Sequence, residues 1–215
     1  MPLRQYYRLI SVVKHQTETF TKVTWEIPAY PKGYDKWINE KKHYLPNSFP
    51  AYDYTVYLRH LGFPSPLLDW TRSLYVAAYF AFRHAMDLEE KVSIYVFWEF
   101  TGRGKVWSTA TPFLCSLGPY VRSHQRHFYQ QSEYTICAMH EKDNEWKFVS
   151  HEEAFNRGNS EQDVLWKFNV PVTERIKVLK KLEEYNLNAF SLFGTEESLM
   201  ETLAMRELSL REREI

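Results

Sequence analysis

The stretch Gly62-Phe63-Pro64-Ser65-Pro66-Leu67-Leu68-Asp69-Trp70-Thr71 runs through Arg72 into Ser73-Leu74-Tyr75-Val76-Ala77-Ala78-Tyr79-Phe80-Ala81-Phe82. Pro64 and Pro66 push the residues before them toward extended backbone, so the chain enters Leu67-Leu68 stretched and turns at Asp69. A helix is predicted over 73–87, with Thr71 or Ser73 as N-cap and Leu74, Ala77, Ala78, Ala81 and Ala85 on closely spaced turns. Tyr75, Val76, Tyr79, Phe80 and Phe82 make that helix apolar nearly all round, which predicts burial.

Working outward, Val56, Tyr57 and Leu61 have helical spacing, and Gly62 stops that helix. Downstream, Lys91–Phe100 alternates as a strand, with Val92, Ile94, Val96, Trp98 and Phe100 on one face. Residues 101–119 read as loop, 129–139 and 163–170 as strands separated by a polar segment, and two helices follow from about Thr173 and Thr195. Residues 1–50 hold a short helix and then Pro28, Pro31, Gly33, Pro46 and Pro50, a loop-rich lead-in to a domain over 51–210. The resulting class is α+β: a curved, mainly antiparallel sheet, a buried central helix and C-terminal helices.

The 27 Lys and Arg among 215 residues balance 27 Asp and Glu, which argues against binding nucleic acid or an acidic membrane by bulk charge. No apolar run reaches the roughly 20 residues needed to span a bilayer, and no leader pattern opens the chain, so a cytoplasmic location is expected. Cys115 and Cys137 form neither a CxxC pair nor a disulfide framework. Aromatic residues reach 17%, enough both to fill a core and to offer stacking surfaces. Tyr75, Phe80, Trp98 and Phe100 are expected in the core, and Trp70, Tyr79 and Tyr129 as rings for ligand stacking.

Asp69 sits among Leu67, Leu68 and Trp70, so its carboxylate needs donors: the amides opening the helix, the Thr71 hydroxyl, or Arg72 or His60. Asp69 and Thr71 either cap the helix or line a cleft at its N-terminus where an anionic ligand is welcome. His124-x-x-His127 puts two imidazoles on one turn, but no third ligand is suggested, and no metal site is expected. Ser65, His60 and Asp69 assemble a hydrolase triad only on paper, because no Gly-x-Ser-x-Gly elbow occurs.

The run His60-Leu61-Gly62-Phe63-Pro64, then Leu67-Leu68-Asp69-Trp70-Thr71, then Ala77-Ala78-Tyr79-Phe80-Ala81, resembles the signature of the FRG domain family. Arg126, Gln130-Gln131 and Tyr134-Thr135 resemble a second block of that family, and 186–203 a weaker third, so the resemblance spans about 54–208. The chain departs from the pattern at Arg59, Ser65, Pro66 and Ser132, and it contains no Phe-Arg-Gly or Tyr-Arg-Gly; Tyr6-Tyr7-Arg8 is followed by Leu9. The order of motifs is similar to that of the Arg-Ser-Glu class of ADP-ribosyltransferases, an analogy at the level of fold.

That similarity implies NAD as substrate, with Gln131 and Glu133 as the catalytic Gln-x-Glu. It implies a ligand-binding set of His60, Asp69, Trp70, Thr71, Tyr79, Arg126 and Gln130, and Arg8 in the place of the phosphate-holding arginine. Two alternatives stand beside it: a non-catalytic module binding a nucleotide or peptide, and a hydrolase or nuclease. A defence or toxin effector is the implied setting; the protein partner is left open.

Overall fold

The computed structural model describes residues 1–215 apart from 42–44, 46–48, 86–89, 103, 107, 109, 141–144 and 212–215. The first element is α1 (Leu3–Thr21), where Leu3, Tyr6, Tyr7 and Ile10 recur on one face and are buried. Lys22 ends it in the left-handed region at φ 60°, and the Glu18 carboxylate accepts the Trp25 amide at 2.7 Å, fixing how the chain leaves. Then follow α2 (Lys32–Lys41), α3 (Tyr52–His60), β1 (Leu68–Thr71) and α4 (Leu74–Arg83). Next are β2 (Lys91–Phe100), β3 (Phe113–Ser116), α5 (Gln125–Tyr129), β4 (Ser132–His140), β5 (Trp146–Phe148), α6 (His151–Phe155) and β6 (Gln162–Pro171). The chain closes with α7 (Arg175–Glu184), α8 (Ala189–Phe193) and α9 (Glu196–Ala204).

The helices predicted before Gly62 and from about Thr173 and Thr195, the strand over Lys91–Phe100 and the α+β class agree with this order. Three short elements, β3, β5 and α6, occupy stretches read as loop or polar spacer. The helix predicted to Asp87 ends at Arg83, and Asp87 lies outside the described residues.

Two compact units divide the chain. The first comprises 1–69, 98–123 and 133–164, and the second 70–97, 124–132 and 165–215.

In the first unit the sheet order is β1-β4-β3, with β5 also paired to β4. β3 and β4 are antiparallel with Phe113 opposite Ala138 and Cys115 opposite Ile136; β5 runs antiparallel to β4 with Phe148 opposite Ala138. Tyr134 to Ala138 are buried without alternation, as expected of a central strand covered on both faces. The core is largely aromatic, with Tyr6 edge-on to Phe148 and Phe113 edge-on to Trp146. Cys115 and Cys137 are free thiols, and burial pushes the Cys137 pKa up to about 12, which leaves it inert.

In the second unit α4 packs on α7, and α8 on α5 and α9, around Val76, Tyr79, Phe82, Leu179, Leu182 and Leu192. Ser73 is the N-cap of α4, accepting the Val76 amide, while Asn188 and Thr195 form capping boxes on α8 and α9. The expectation of a helix buried all round fails here. Val76, Tyr79 and Phe82 are buried, but Leu74, Tyr75 and Phe80 are exposed, because α7 covers only one side of α4.

Trp98 and Phe100 are also exposed rather than core. β2 forms a two-stranded ribbon with β6, and Ser93 bonds Asn169 while Lys167 lies over the Tyr95 ring. This pairing puts Val96, Trp166 and Phe168 on one face, all exposed, since a ribbon buries less than a sheet.

Candidate functional site

Of the residues implied as a site, His60, Asp69 and Glu133 belong to the first unit, and Trp70, Thr71, Tyr79, Arg126, Gln130 and Gln131 to the second. Within the first unit, the last turn of α3 presents Arg59 and His60. Arg59 Nε donates to Asp69 Oδ2 at 2.8 Å. Asp69 is therefore neither buried nor the cap of α4: its side chain is 45% exposed and its partner is a cation that the sequence reading did not pair with it. The surrounding protein still desolvates the carboxylate enough to raise its pKa, with Arg59 pulling the other way.

His60 Nε2 and the buried Tyr134 hydroxyl share a hydrogen bond of 2.6 Å. The Tyr134 ring meets Tyr52 edge-on at 6.1 Å, and Tyr52 donates to the Gly118 carbonyl at 2.6 Å. Burial raises the Tyr52 pKa, followed by the charges of Tyr134, Glu133 and Asp53. The Glu133 carboxylate thus acts on the same phenol as its neighbour Tyr134.

In the second unit most implied ligand contacts are taken by protein. Thr71 Oγ1 donates to the Gln130 carbonyl at 2.8 Å and accepts the Ser73 amide at 3.1 Å. The buried Gln130 amide donates to Leu192 O at 3.1 Å, and the Arg126 guanidinium lies 5.3 Å over Phe193. Tyr79 is buried against the Arg83–Glu201 pair, so its ring is no stacking surface, whereas Trp70 tilts against Phe97 at 5.2 Å. Gln131 is exposed and left-handed at φ 49°. Arg8 lies exposed within α1 rather than on a strand. His124 caps α5 by accepting the Arg126 amide. Among the described residues no group of three or more His, Cys, Asp and Glu is placed to hold a metal, and no helix is long and apolar enough to cross a membrane.

A cleft of about 550 Å³ opens in the first unit between residues 23–27, the first turn of α3 and Arg122-Ser123. Nothing in the motif pattern pointed to it. Its only advance signal was Trp25 in the stretch read as lead-in, with Tyr52 and Tyr54 at the start of the helix predicted before Gly62.

The family model of the FRG domain matches residues 4–90, the stretch from α1 to α4. The match contains the motif run from His60 to Ala81 and starts well before it. No curated protein and no solved structure matches the chain.

Proposed function

We propose that this FRG-domain protein binds NAD through its first unit and transfers ADP-ribose, with Glu133 as the catalytic carboxylate. The observation that carries the reading is the polar cluster of His60, Tyr134 and Tyr52, whose phenols are both hydrogen-bonded, with the charge of Glu133, the residue before Tyr134, acting on the Tyr52 phenol. In the reaction the bond between the nicotinamide nitrogen and the ribose anomeric carbon breaks, and its electron pair leaves with nicotinamide. A nucleophile on the acceptor then attacks the anomeric carbon and loses its proton. Glu133 stabilises the positive charge that develops at that carbon. Arg59, still 35% exposed beside Asp69, supplies a cation for the diphosphate.

The test is incubation of the full chain with NAD and measurement of free nicotinamide. Release that is lost in Glu133→Gln, with melting temperature unchanged, supports the reading; no release, or release untouched by the substitution, refutes it. A second reading, a non-catalytic nucleotide-binding module, is favoured by the protein partners already held by Thr71, Tyr79 and Gln130. It predicts a thermal shift with NAD or ADP-ribose and no turnover.

A further inference from the structure

We infer that the cleft beside residues 23–27 is a peptide-binding site, and that it takes an extended segment carrying a basic side chain, added as a strand to the Thr24–Glu26 edge. The cleft shares Tyr52 with the cluster proposed for NAD but otherwise lies at the first turn of α3, whereas Arg59 and His60 end that helix.

The backbone gives the first argument. Residues 23–27 run without turn or bend, with Trp25 and Ile27 packed on the core and Thr24 and Glu26 exposed. That in-and-out alternation is the pattern of a strand. The amide of Val23 goes to Thr21 Oγ1 and that of Trp25 to Glu18 Oε1, so the odd-numbered residues turn their amides back toward α1. In extended backbone the N–H and C=O of the intervening residues then point to the opposite edge. There the backbone groups of Thr24 and Glu26 meet no hydrogen-bond partner among the described residues. An unpaired strand edge beside an open cleft is what strand addition requires.

The cleft wall gives the second argument. Trp25 Nε1 and Ser123 Oγ, both in residues that line it, are buried and have no hydrogen-bond partner among the described residues. Such groups are uncommon in finished protein surfaces and mark a place where a polar partner belongs. Tyr52 and Trp25 supply apolar area for the side chains of the incoming segment.

Charge decides the occupant. Three charged side chains line the cleft: Glu26, Asp53 and Arg122. Asp53 accepts the Arg122 amide at 3.1 Å through one oxygen, and neither Glu26 nor Asp53 forms an ion pair among the described residues. Two carboxylates against one guanidinium favour a Lys- or Arg-bearing peptide and disfavour a polyanion such as RNA.

The experiment is selection of a displayed random-octapeptide library on the full chain, followed by affinity measurement and amide hydrogen exchange with the enriched peptides. Enriched sequences carry Lys or Arg, and adding the peptide slows exchange at Thr24 and Glu26. Thr24→Pro removes an amide that bonds nothing among the described residues, and it weakens the peptide by about tenfold or more at unchanged melting temperature. Glu26→Lys shifts the preference away from basic residues. The inference is overturned if no sequence enriches, if acidic sequences enrich, or if exchange at Thr24 and Glu26 is unchanged by bound peptide. Because exchange is read on the unaltered chain, misfolding of a variant does not blunt the test. Peptide binding that persists while NAD gives neither release nor thermal shift refutes only the NAD reading.

Discussion

Replacing Arg83 with alanine isolates the interaction that ties α4 to α9. Arg83 Nε donates to Glu201 Oε1 at 2.6 Å, its Nη2 reaches the other carboxylate oxygen, and its guanidinium lies 4.3 Å over the Phe193 ring. The two side chains are only 18% and 29% exposed. Breaking a fully buried pair from one side costs ~3–5 kcal/mol, which partial solvent access reduces to ~2–3 kcal/mol. Loss of the ring contact adds ~0.5–1 kcal/mol. The total, ~3 kcal/mol, lowers the melting temperature by ~6–12 °C for a chain of this size.

Glu201→Ala should cost less, because Arg83 keeps its ring contact and reaches water. A double-mutant cycle then reads the coupling directly. Acid gives a second check. Hydrogen bonding from Arg83 holds the Glu201 pKa below the usual carboxylate range. Its stabilisation is therefore present above the unfolded value of ~4.3 and is lost as pH falls through the folded one. Thermal unfolding of both chains followed by circular dichroism between neutral and acid pH should show the gap narrowing. A gap near zero at neutral pH, or one that ignores pH, refutes the reasoning.

Thr71→Val removes one donated and one accepted bond, and a loss of ~1–2 kcal/mol in denaturant unfolding is expected. Burial holds the His151 pKa down, against the Thr135 carbonyl contact. The unfolded chain thus binds the proton more readily, so stability is complete above ~6.5 and falls as pH drops below it. His151→Gln should flatten that slope in melts across pH 5 to 8, to about the unfolded His range. Gln131→Gly relieves a left-handed backbone at an exposed side chain, and a melting temperature unchanged or raised by a few degrees is expected; a fall of several degrees would show that the Gln131 side chain is structural.

The sequence reading was strongest where local chemistry acts within one element. The prolines before Leu67, the cap at Ser73, the alternation of β2 and the Thr195 cap each depend on neighbours a few residues away. It was weakest where coverage depends on distant partners. Trp98 and Phe100 have the pattern of a core strand, yet a two-stranded ribbon leaves them exposed. Asp69 has the pattern of a buried carboxylate, yet its position near the α3 terminus gives it Arg59 and solvent. β3, β5 and α6 span five residues or fewer, too short for periodicity to declare them. Of the candidate site, His60, Glu133 and Tyr134 stood in or beside the motif blocks, while Tyr52 did not. Its role comes from a ring contact with Tyr134, 82 positions along the chain, that no spacing rule reports.

The chain passes between its two units at 69/70, 97/98, 123/124, 132/133 and 164/165. During synthesis, then, the first unit cannot close its sheet until residues beyond 148 have emerged, although α1 to α3 appear early. Contacts so distant along the chain make for slow folding and leave apolar surface waiting for its partner. A fragment cut at residue 90, where the family match ends, keeps β1 but lacks β3, β4 and β5, along with Phe113, Tyr134, Trp146 and Phe148 of the first core. It should behave as an aggregating chain rather than a small domain, so the recognisable signature and the cooperative folding unit have different boundaries.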